Sequence, residues 1–195
     1  MLKYMVICVY CASSAKVAAK YFAAAESLGK EMAANGDTLV FGGGSLGLMG
    51  KIADSMLANG GHVKGVLPRF MEEVEWGHKG ISEMVLVEDM HERKKLLVKD
   101  VDAVVALPGG CGTLEELSEI ITLKRLGKFT KPIVILNLDG FYEPLRMLLD
   151  KMIEEKFMRV EHRDMYTFVN DVAGVIPAIK NAPAWDSDAI LFASV

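Results

Sequence analysis

The stretch Val101-Asp-Ala-Val-Val-Ala-Leu-Pro-Gly-Gly-Cys-Gly-Thr-Leu-Glu-Glu116 joins an apolar run to a glycine-rich loop and an acidic segment. The apolar run predicts a buried strand at 101–107, which ends at Pro108 because proline cannot donate to a strand ladder. The glycines at 109, 110 and 112 carry no side chains, so backbone N–H groups can converge there. This order of elements is typical of an anion site at the end of a strand.

The residues after the loop predict the start of a helix at 113–127. Thr113 is a typical N-cap residue, and the first N–H groups of the helix that it begins attract a phosphate. Glu115, Glu116 and Glu119 follow within two turns. Carboxylates beside an anion site indicate chemistry on a phosphorylated substrate.

Predicted strands and helices alternate along the whole chain. The other strands are expected at 4–10, 38–41, 62–67, 84–87, 133–136 and 165–169, and the other helices at 15–35, from the loop at 42–50 to about 59, and at 90–100, 141–156 and 171–181. Such alternation predicts an α/β fold with a doubly wound parallel sheet, whose ligands bind at the carboxyl ends of the strands. We expect a single domain over residues 1–182, a less regular stretch at 68–82, and a tail at 183–195 without predicted structure.

Composition excludes several classes of function. The chain has 195 residues, about half of them apolar, with a net charge of −4, so a nucleic-acid surface is not expected. No apolar stretch approaches the roughly 20 residues of a membrane span, so we expect no membrane partner. Three cysteines without an even framework predict a protein of the reducing cytoplasm.

Another glycine loop lies earlier in the chain, at Gly42-Gly-Gly-Ser-Leu-Gly-Leu-Met-Gly50, and contains the spacing of a dinucleotide fingerprint. That fingerprint also needs an acidic residue about 20 positions further on, where this chain has Leu67-Pro68-Arg69. The loop also follows the second predicted strand instead of the first. An arginine can accept the 2′-phosphate of NADP, so an NADP-dependent oxidoreductase stays an alternative. Two glycine loops at strand ends otherwise indicate a mononucleotide held between them.

The segment Asp89-Met-His-Glu-Arg-Lys94 opens a predicted helix directly after a strand. Arg93 and Lys94 put two cations where a phosphate is expected. The alternative is a solvated helix face on which these cations pair with Glu88 or Glu92.

These three motifs together resemble the LONELY GUY family of cytokinin-activating phosphoribohydrolases, long labelled "possible lysine decarboxylase". The resemblance runs from residue 5 to about 180. It implies a Rossmann-like fold, a homodimer with shared sites, and neither a metal nor a redox cofactor. The implied partner is a small nucleotide. The implied reaction is hydrolysis of the N-glycosidic bond of AMP or N6-substituted AMP, which releases the free base and ribose 5-phosphate.

The resemblance also implies the site residues. The catalytic arginine and glutamate of the family fall on Arg93 and Glu116. The implied substrate contacts are Ser13, Gly43, Gly44, Met90, Lys94, Gly110, Cys111, Gly112, Thr113, Leu114, Glu115 and Thr122. The chain departs from the family at Cys11-Ala12, where many relatives have a glycine before the serines, and after Thr122, where the common tryptophan is missing.

Glu116 has two interpretations. A carboxylate there can stabilise the positive charge that builds on the ribose as its bond to the base breaks. Thr113-x-x-Glu116 is also a capping box, which needs a glutamate for stability alone. The resemblance favours catalysis. A non-catalytic nucleotide-binding protein, as the related molybdenum-cofactor carriers suggest, remains the other alternative.

Overall fold

A single seven-stranded parallel sheet forms the centre of the molecule, in a computed structural model that describes residues 4–72 and 76–193. Its strands are β1 Val6–Tyr10, β2 Thr38–Phe41, β3 His62–Pro68, β4 Glu83–Val87, β5 Ala103–Ala106, β6 Ile133–Leu136 and β7 Thr167–Val169. The helices are α1 Ala19–Asn35, α2 Gly47–Ala58, α3 Arg69–Glu72, α4 Met90–Leu97, α5 Cys111–Arg125, α6 Glu143–Glu154 and α7 Val175–Asn181. This is the predicted Rossmann-like α/β fold.

Both faces of the sheet are buried, which explains why its central strands are apolar throughout. In β1, Ile7 and Val9 pack with α1, α2 and α7, while Cys8 and Tyr10 pack on the opposite face with α4 and α5. All four residues of β5 are buried. Parallel strands covered by helices on both faces characteristically lack an exposed polar side.

The strand order β4-β3-β2-β1-β5-β6-β7 places the topological switch point between β1 and β5. The chain runs outward from β1 through β2, β3 and β4, and then returns to pair β5 with the other edge of β1. Ligands of such sheets bind in the crevice beyond the carboxyl ends of the two strands at the switch point. The loop after β5 is the glycine loop at 109–112.

Helix boundaries differ from the prediction at several places. Helix α1 begins at Ala19, four residues later than expected, because Ala18 is extended and Ser14 Oγ instead accepts a hydrogen bond from Lys16 N in a turn. A separate 3₁₀ turn at Leu138–Gly140 precedes the helix predicted at 141–156, and the segment predicted as a helix at 171–181 begins with a 3₁₀ turn at Val172–Gly174. The strands β2 and β6 have the predicted bounds.

The two segments without a regular prediction pack against the sheet layers. The stretch 68–82 contains α3 and an isolated bridge between Gly44 and Gly77, while its residues 73–75 lie outside the described part. In the tail, Trp185 Nε1 donates to Lys124 O, and a 3₁₀ turn covers Ala189–Phe192. Residues 1–3 and 194–195 of the predicted domain and tail also lie outside it. None of the described helices is long and apolar enough to cross a membrane.

Candidate active site

A buried ion pair joins α4 to α5 at the switch point. Arg93 Nη1 donates to Glu116 Oε1 at 2.7 Å, and Arg93 Nε donates to Val66 O at 3.2 Å. The two side chains are only 9% and 11% exposed. Asp89 caps α4 by accepting hydrogen bonds from His91 N and Glu92 N, which fixes the first turn that carries Arg93. Arg93 therefore does not belong to a solvated helix face, which corrects the alternative interpretation.

The predicted capping box at Glu116 is wrong. Helix α5 begins two residues earlier than expected, with Gly110 at the N-cap. Thr113 is the third residue of the helix and is buried. Its hydroxyl lies against Gly109, where an added Cβ would overlap it. Because Thr113 is not the N-cap, Glu116 has no capping role, and its carboxylate is directed at Arg93.

The carboxyl group of Glu116 is held in an environment of opposing influences. Burial raises its pKa above the ordinary value, and the adjacent Arg93 guanidinium lowers it again by charge and hydrogen bonding. The charge of Glu116 also raises the pKa of Cys8, Tyr10 and Cys11, although burial is the larger cause for each of the three.

The loop after β5 leaves its backbone accessible. A Cβ at Gly110 or Gly112 would meet no atom within 4 Å, and Cys111 is exposed. The first helical hydrogen bond of α5 runs from Leu114 N to Gly110 O. The N–H groups before it have no carbonyl of a preceding turn to bind, so they give this end a partial positive charge. The arrangement suits a phosphate.

Lys94 lies beside this loop. Its Nζ atom is 2.6 Å from Glu115 Oε1 and 3.3 Å from Glu119 Oε1. The hydrogen bond to Glu115 is the main cause that raises the pKa of the Lys94 ammonium, so the group is charged at neutral pH. A phosphate at the start of α5 would compete with Glu115 for this cation.

The first glycine loop along the chain, at 42–50 after β2, is closed by hydrogen bonds within the protein itself. Ala12 O accepts hydrogen bonds from Leu48 N and Met49 N in the first turn of α2. A dinucleotide would place its pyrophosphate at this helix start. Arg69, the residue considered for a 2′-phosphate, instead pairs with Glu88 at 2.8 Å. Both observations oppose the NADP alternative.

Comparisons with known proteins agree with the motifs. A family model described as "Possible lysine decarboxylase" matches residues 49–179. The "Probable cytokinin riboside 5'-monophosphate phosphoribohydrolase LOGL1" of Oryza sativa subsp. japonica is 45% identical over 159 residues, which are 82% of this chain and 71% of that protein. The "Cytokinin riboside 5'-monophosphate phosphoribohydrolase LOG1" of Arabidopsis thaliana is 45% identical over 156 residues, which are 80% and 73% of the two chains. The chain belongs to the LONELY GUY family.

A solved structure shares the fold of this LONELY GUY family member. The molybdenum cofactor carrier protein of Chlamydomonas reinhardtii superposes with a TM-score of 0.69 at 25% identity, covering 92% of this chain and 98% of that one. The molybdenum cofactor binding protein of Rippkaea orientalis gives a TM-score of 0.70 at 20% identity, which shows the fold alone.

The decarboxylase description of the family model gains no support from Lys124. Lys124 has the lowered pKa, about 8, that a Schiff-base lysine would need, and burial is the cause. The sequence contained no signal for this shift. The side chain is only 1% exposed, however, and its Nζ atom donates to Lys131 O. Lys124 is therefore a structural residue.

The remaining implied contacts of the LONELY GUY site lie on separate elements of the structure. Gly43 and Gly44 are buried, next to Met84 and Met49 respectively. Met90 is half-buried at the start of α4, and Ser13 is exposed after β1. Thr122 is six residues beyond Glu116 on α5, about 9 Å along the helix axis. It instead borders an apolar groove between α5 and α6.

Tyr142 supports the site although the sequence offered no signal for it. Its hydroxyl donates to Leu107 O at 2.8 Å, and its backbone N–H donates to Asn137 Oδ1 at 2.7 Å. The first bond fixes the backbone at Leu107, directly before the glycine loop, and the second holds Tyr142 to the residue that follows β6. An aromatic residue before a helix usually indicates packing, so only the tertiary contact distinguishes this one.

Proposed function

We propose that this protein is a nucleoside 5′-monophosphate phosphoribohydrolase that cleaves the N-glycosidic bond of AMP and N6-substituted AMP. The observation that carries the proposal is the buried Arg93–Glu116 pair, which lies next to an open glycine loop at the switch point. The names of the relatives, which describe cytokinin riboside 5′-monophosphate phosphoribohydrolases, support this substrate class.

The phosphate binds first to the start of α5. The N–H groups of Cys111, Gly112 and Thr113 precede the first helical hydrogen bond and can donate hydrogen bonds to an anion. Lys94 adds a full charge as its ammonium exchanges Glu115 for the phosphate. A charge-assisted hydrogen bond is worth roughly 1.5–3 kcal/mol, so several of them make the phosphate the largest contributor to substrate binding.

Bond cleavage places positive charge on the ribose. As the C1′–N9 bond breaks, its electron pair leaves with the purine, and water supplies the hydroxyl at C1′ while a proton reaches the base. The Glu116 carboxylate is buried, so it stabilises this charge more strongly than it would in water, and it can also align the attacking water. This role requires the ionised form, which Arg93 favours.

Arg93 has two functions in this scheme. It keeps Glu116 ionised and oriented through the 2.7 Å hydrogen bond. The guanidinium has five N–H donors, of which two are engaged with Glu116 and Val66. The others can hydrogen-bond the phosphate or the departing purine.

The groove between α5 and α6 supports a homodimer with shared sites. Leu148 and Phe157 line this groove and are 52% and 74% exposed although they are large and apolar. Apolar surfaces of this kind mark interfaces. We expect a dimer by light scattering at micromolar concentration, and a folded monomer after Leu148→Asp. A monomeric wild type would contradict this assembly.

Incubation with AMP and with N6-isopentenyl-AMP tests the reaction. We expect chromatography to show the free base and ribose 5-phosphate in equal amounts. Binding of either nucleotide without release of the base would instead favour the non-catalytic alternative. The structural likeness to the molybdenum cofactor carrier protein supports that alternative. The ratio of the two rates then measures the preference for an N6 substituent.

A further inference from the structure

Gly42 is a buried glycine whose backbone does not require glycine. It follows β2 directly, and it is absent from the positive-φ glycines of the described chain, which include its neighbour Gly43 at φ 78°. An alanine could adopt the backbone conformation of Gly42. The reason for glycine must therefore be space.

The space beside Gly42 is filled by Arg93. A Cβ on Gly42 would overlap the Arg93 Nη2 atom, and it would lie 3.2 Å from Met49 Sδ. The guanidinium cannot simply withdraw, because its Nε atom is bonded to Val66 O and its Nη1 atom to Glu116. The position of the guanidinium is thus fixed by its hydrogen bonds to β3 and α5 and by the space that Gly42 leaves open.

We propose that Gly42 is a positioning residue for the proposed reaction, because its lack of a side chain lets the Arg93 guanidinium lie against Glu116. The catalytic consequence rests on the proposed function. The placement of the guanidinium itself does not, so the two can be tested separately.

A methyl group at position 42 would move the guanidinium away from Glu116. The carboxyl group would stay buried but lose the main influence that lowers its pKa, so it would ionise only at higher pH. The other charged groups that act on it, Lys94 and Glu115, are unaffected by this methyl group. The effect is therefore specific to the Arg93–Glu116 pair.

The first experiment compares Gly42→Ala with Gly29→Ala over a range of pH. Gly29 is a buried glycine of α1 that faces α2, where a Cβ would lie 2.8 Å from Ser55 Cβ, so this control also introduces crowding but without contact to Arg93. For Gly42→Ala we expect kcat for AMP to fall roughly 10²-fold and the acid limb of its pH profile to move to higher pH. For Gly29→Ala we expect only a lower melting temperature. An unshifted profile in Gly42→Ala would overturn the proposal.

A double-mutant cycle with Arg93→Lys tests whether the clash is with the guanidinium. Lysine has no atom equivalent to Nη2, so the methyl group that Gly42→Ala adds should destabilise the protein less when residue 93 is lysine. We expect Gly42→Ala to lower the melting temperature less in the Arg93→Lys background than in the wild type. If Gly42→Ala does not fold, the double variant should regain a folded state. Equal losses in both backgrounds would assign the crowding to Met49 and reject the proposal.

A titration of the Glu116 carboxyl group by ¹³C NMR separates the two proposals. It needs no turnover, with the Glu116→Gln spectrum used to assign the signal. An upward shift of the pKa in Gly42→Ala, with none in Gly29→Ala, supports the positioning role even if AMP is not hydrolysed. No difference between the variants contradicts the positioning role even if the wild type is an active hydrolase.

Discussion

The two glycine loops look alike in sequence but perform opposite tasks in the structure. The loop after β2 is filled by the protein, since the start of α2 donates to Ala12 O and Gly42 makes room for Arg93. The loop after β5 presents Gly110 and Gly112 to open space. A glycine-rich loop at a strand end is therefore an anion site only where the chain does not use its N–H groups itself. The difference also decides against a dinucleotide at the first loop.

The largest expected effect concerns the phosphate at the second loop. If the start of α5 and Lys94 bind it, adenosine should be a far poorer substrate than AMP, with kcat/KM lower by orders of magnitude. Each lost charge-assisted contact costs roughly 1.5–3 kcal/mol. Rates of base release for both compounds at equal concentration provide the measurement. Comparable kcat/KM values for adenosine and AMP would contradict phosphate binding at the loop after β5.

Glu116→Gln should reduce AMP hydrolysis at least ~10²-fold, because glutamine lacks the charge that stabilises the ribosyl cation. Its amide oxygen still accepts a hydrogen bond from Arg93, so the variant should fold. Glu115→Gln is the stability control, because the exposed pair of Glu115 with Lys94 is worth at most about 1 kcal/mol. Near-wild-type hydrolysis by Glu116→Gln would mean that the catalytic carboxylate lies at Glu115 or Glu119.

The same variant gives a pH test of stability. The pKa of Glu116 is raised by burial, so its ionised form disfavours folding. This cost is absent below the ordinary carboxyl pKa and is fully present above the raised value. We therefore expect the difference in melting temperature between wild type and Glu116→Gln to shrink as the pH falls to about 4, where both side chains are neutral. A difference independent of pH would show that the carboxyl group titrates normally.

Arg93→Ala should be both inactive and less stable. An exposed arginine would carry little stability, but this one is buried, and removing one partner of a buried pair costs about 3 kcal/mol. At acidic pH the unpaired Glu116 takes up a proton and becomes neutral, so Arg93→Ala loses less stability there. Thermal melts at pH 5 and pH 8 should therefore differ more for Arg93→Ala than for the wild type. An equal melting temperature at both values would argue against a buried charge.

Alanine substitutions distinguish the two loops directly. Gly47 has φ 64°, and a Cβ there would collide with the backbone of Ser13, so Gly47→Ala should lose about 3 kcal/mol of stability or more. Gly112→Ala should keep the wild-type melting temperature, since its Cβ meets no atom, and should raise KM for AMP about tenfold by obstructing the phosphate. Reversed outcomes would exchange the roles assigned to the two loops.

Much of this protein followed from sequence alone. The alternation of apolar runs and helical segments predicted the sheet, because a strand buried on both faces must be apolar throughout. The family resemblance implied that Arg93 and Glu116 belong to one site, and parallel strands bring the segments that carry them to one edge of the sheet. Composition only excluded classes of partner. The motifs and the family resemblance were needed to name a substrate class.

The tertiary structure decided what local patterns left ambiguous. In the sequence, Thr113 and Glu116 fit a capping box as well as they fit a catalytic site. In the structure the helix begins two residues earlier than predicted, which buries Thr113 and turns Glu116 toward Arg93. Arg93 looked like a surface cation because burial depends on what packs over it from β2 and β3. Local spacing fixes which groups a residue can reach along its own helix. Only the packing of distant segments determines which of those groups it binds, and whether water is present when it does.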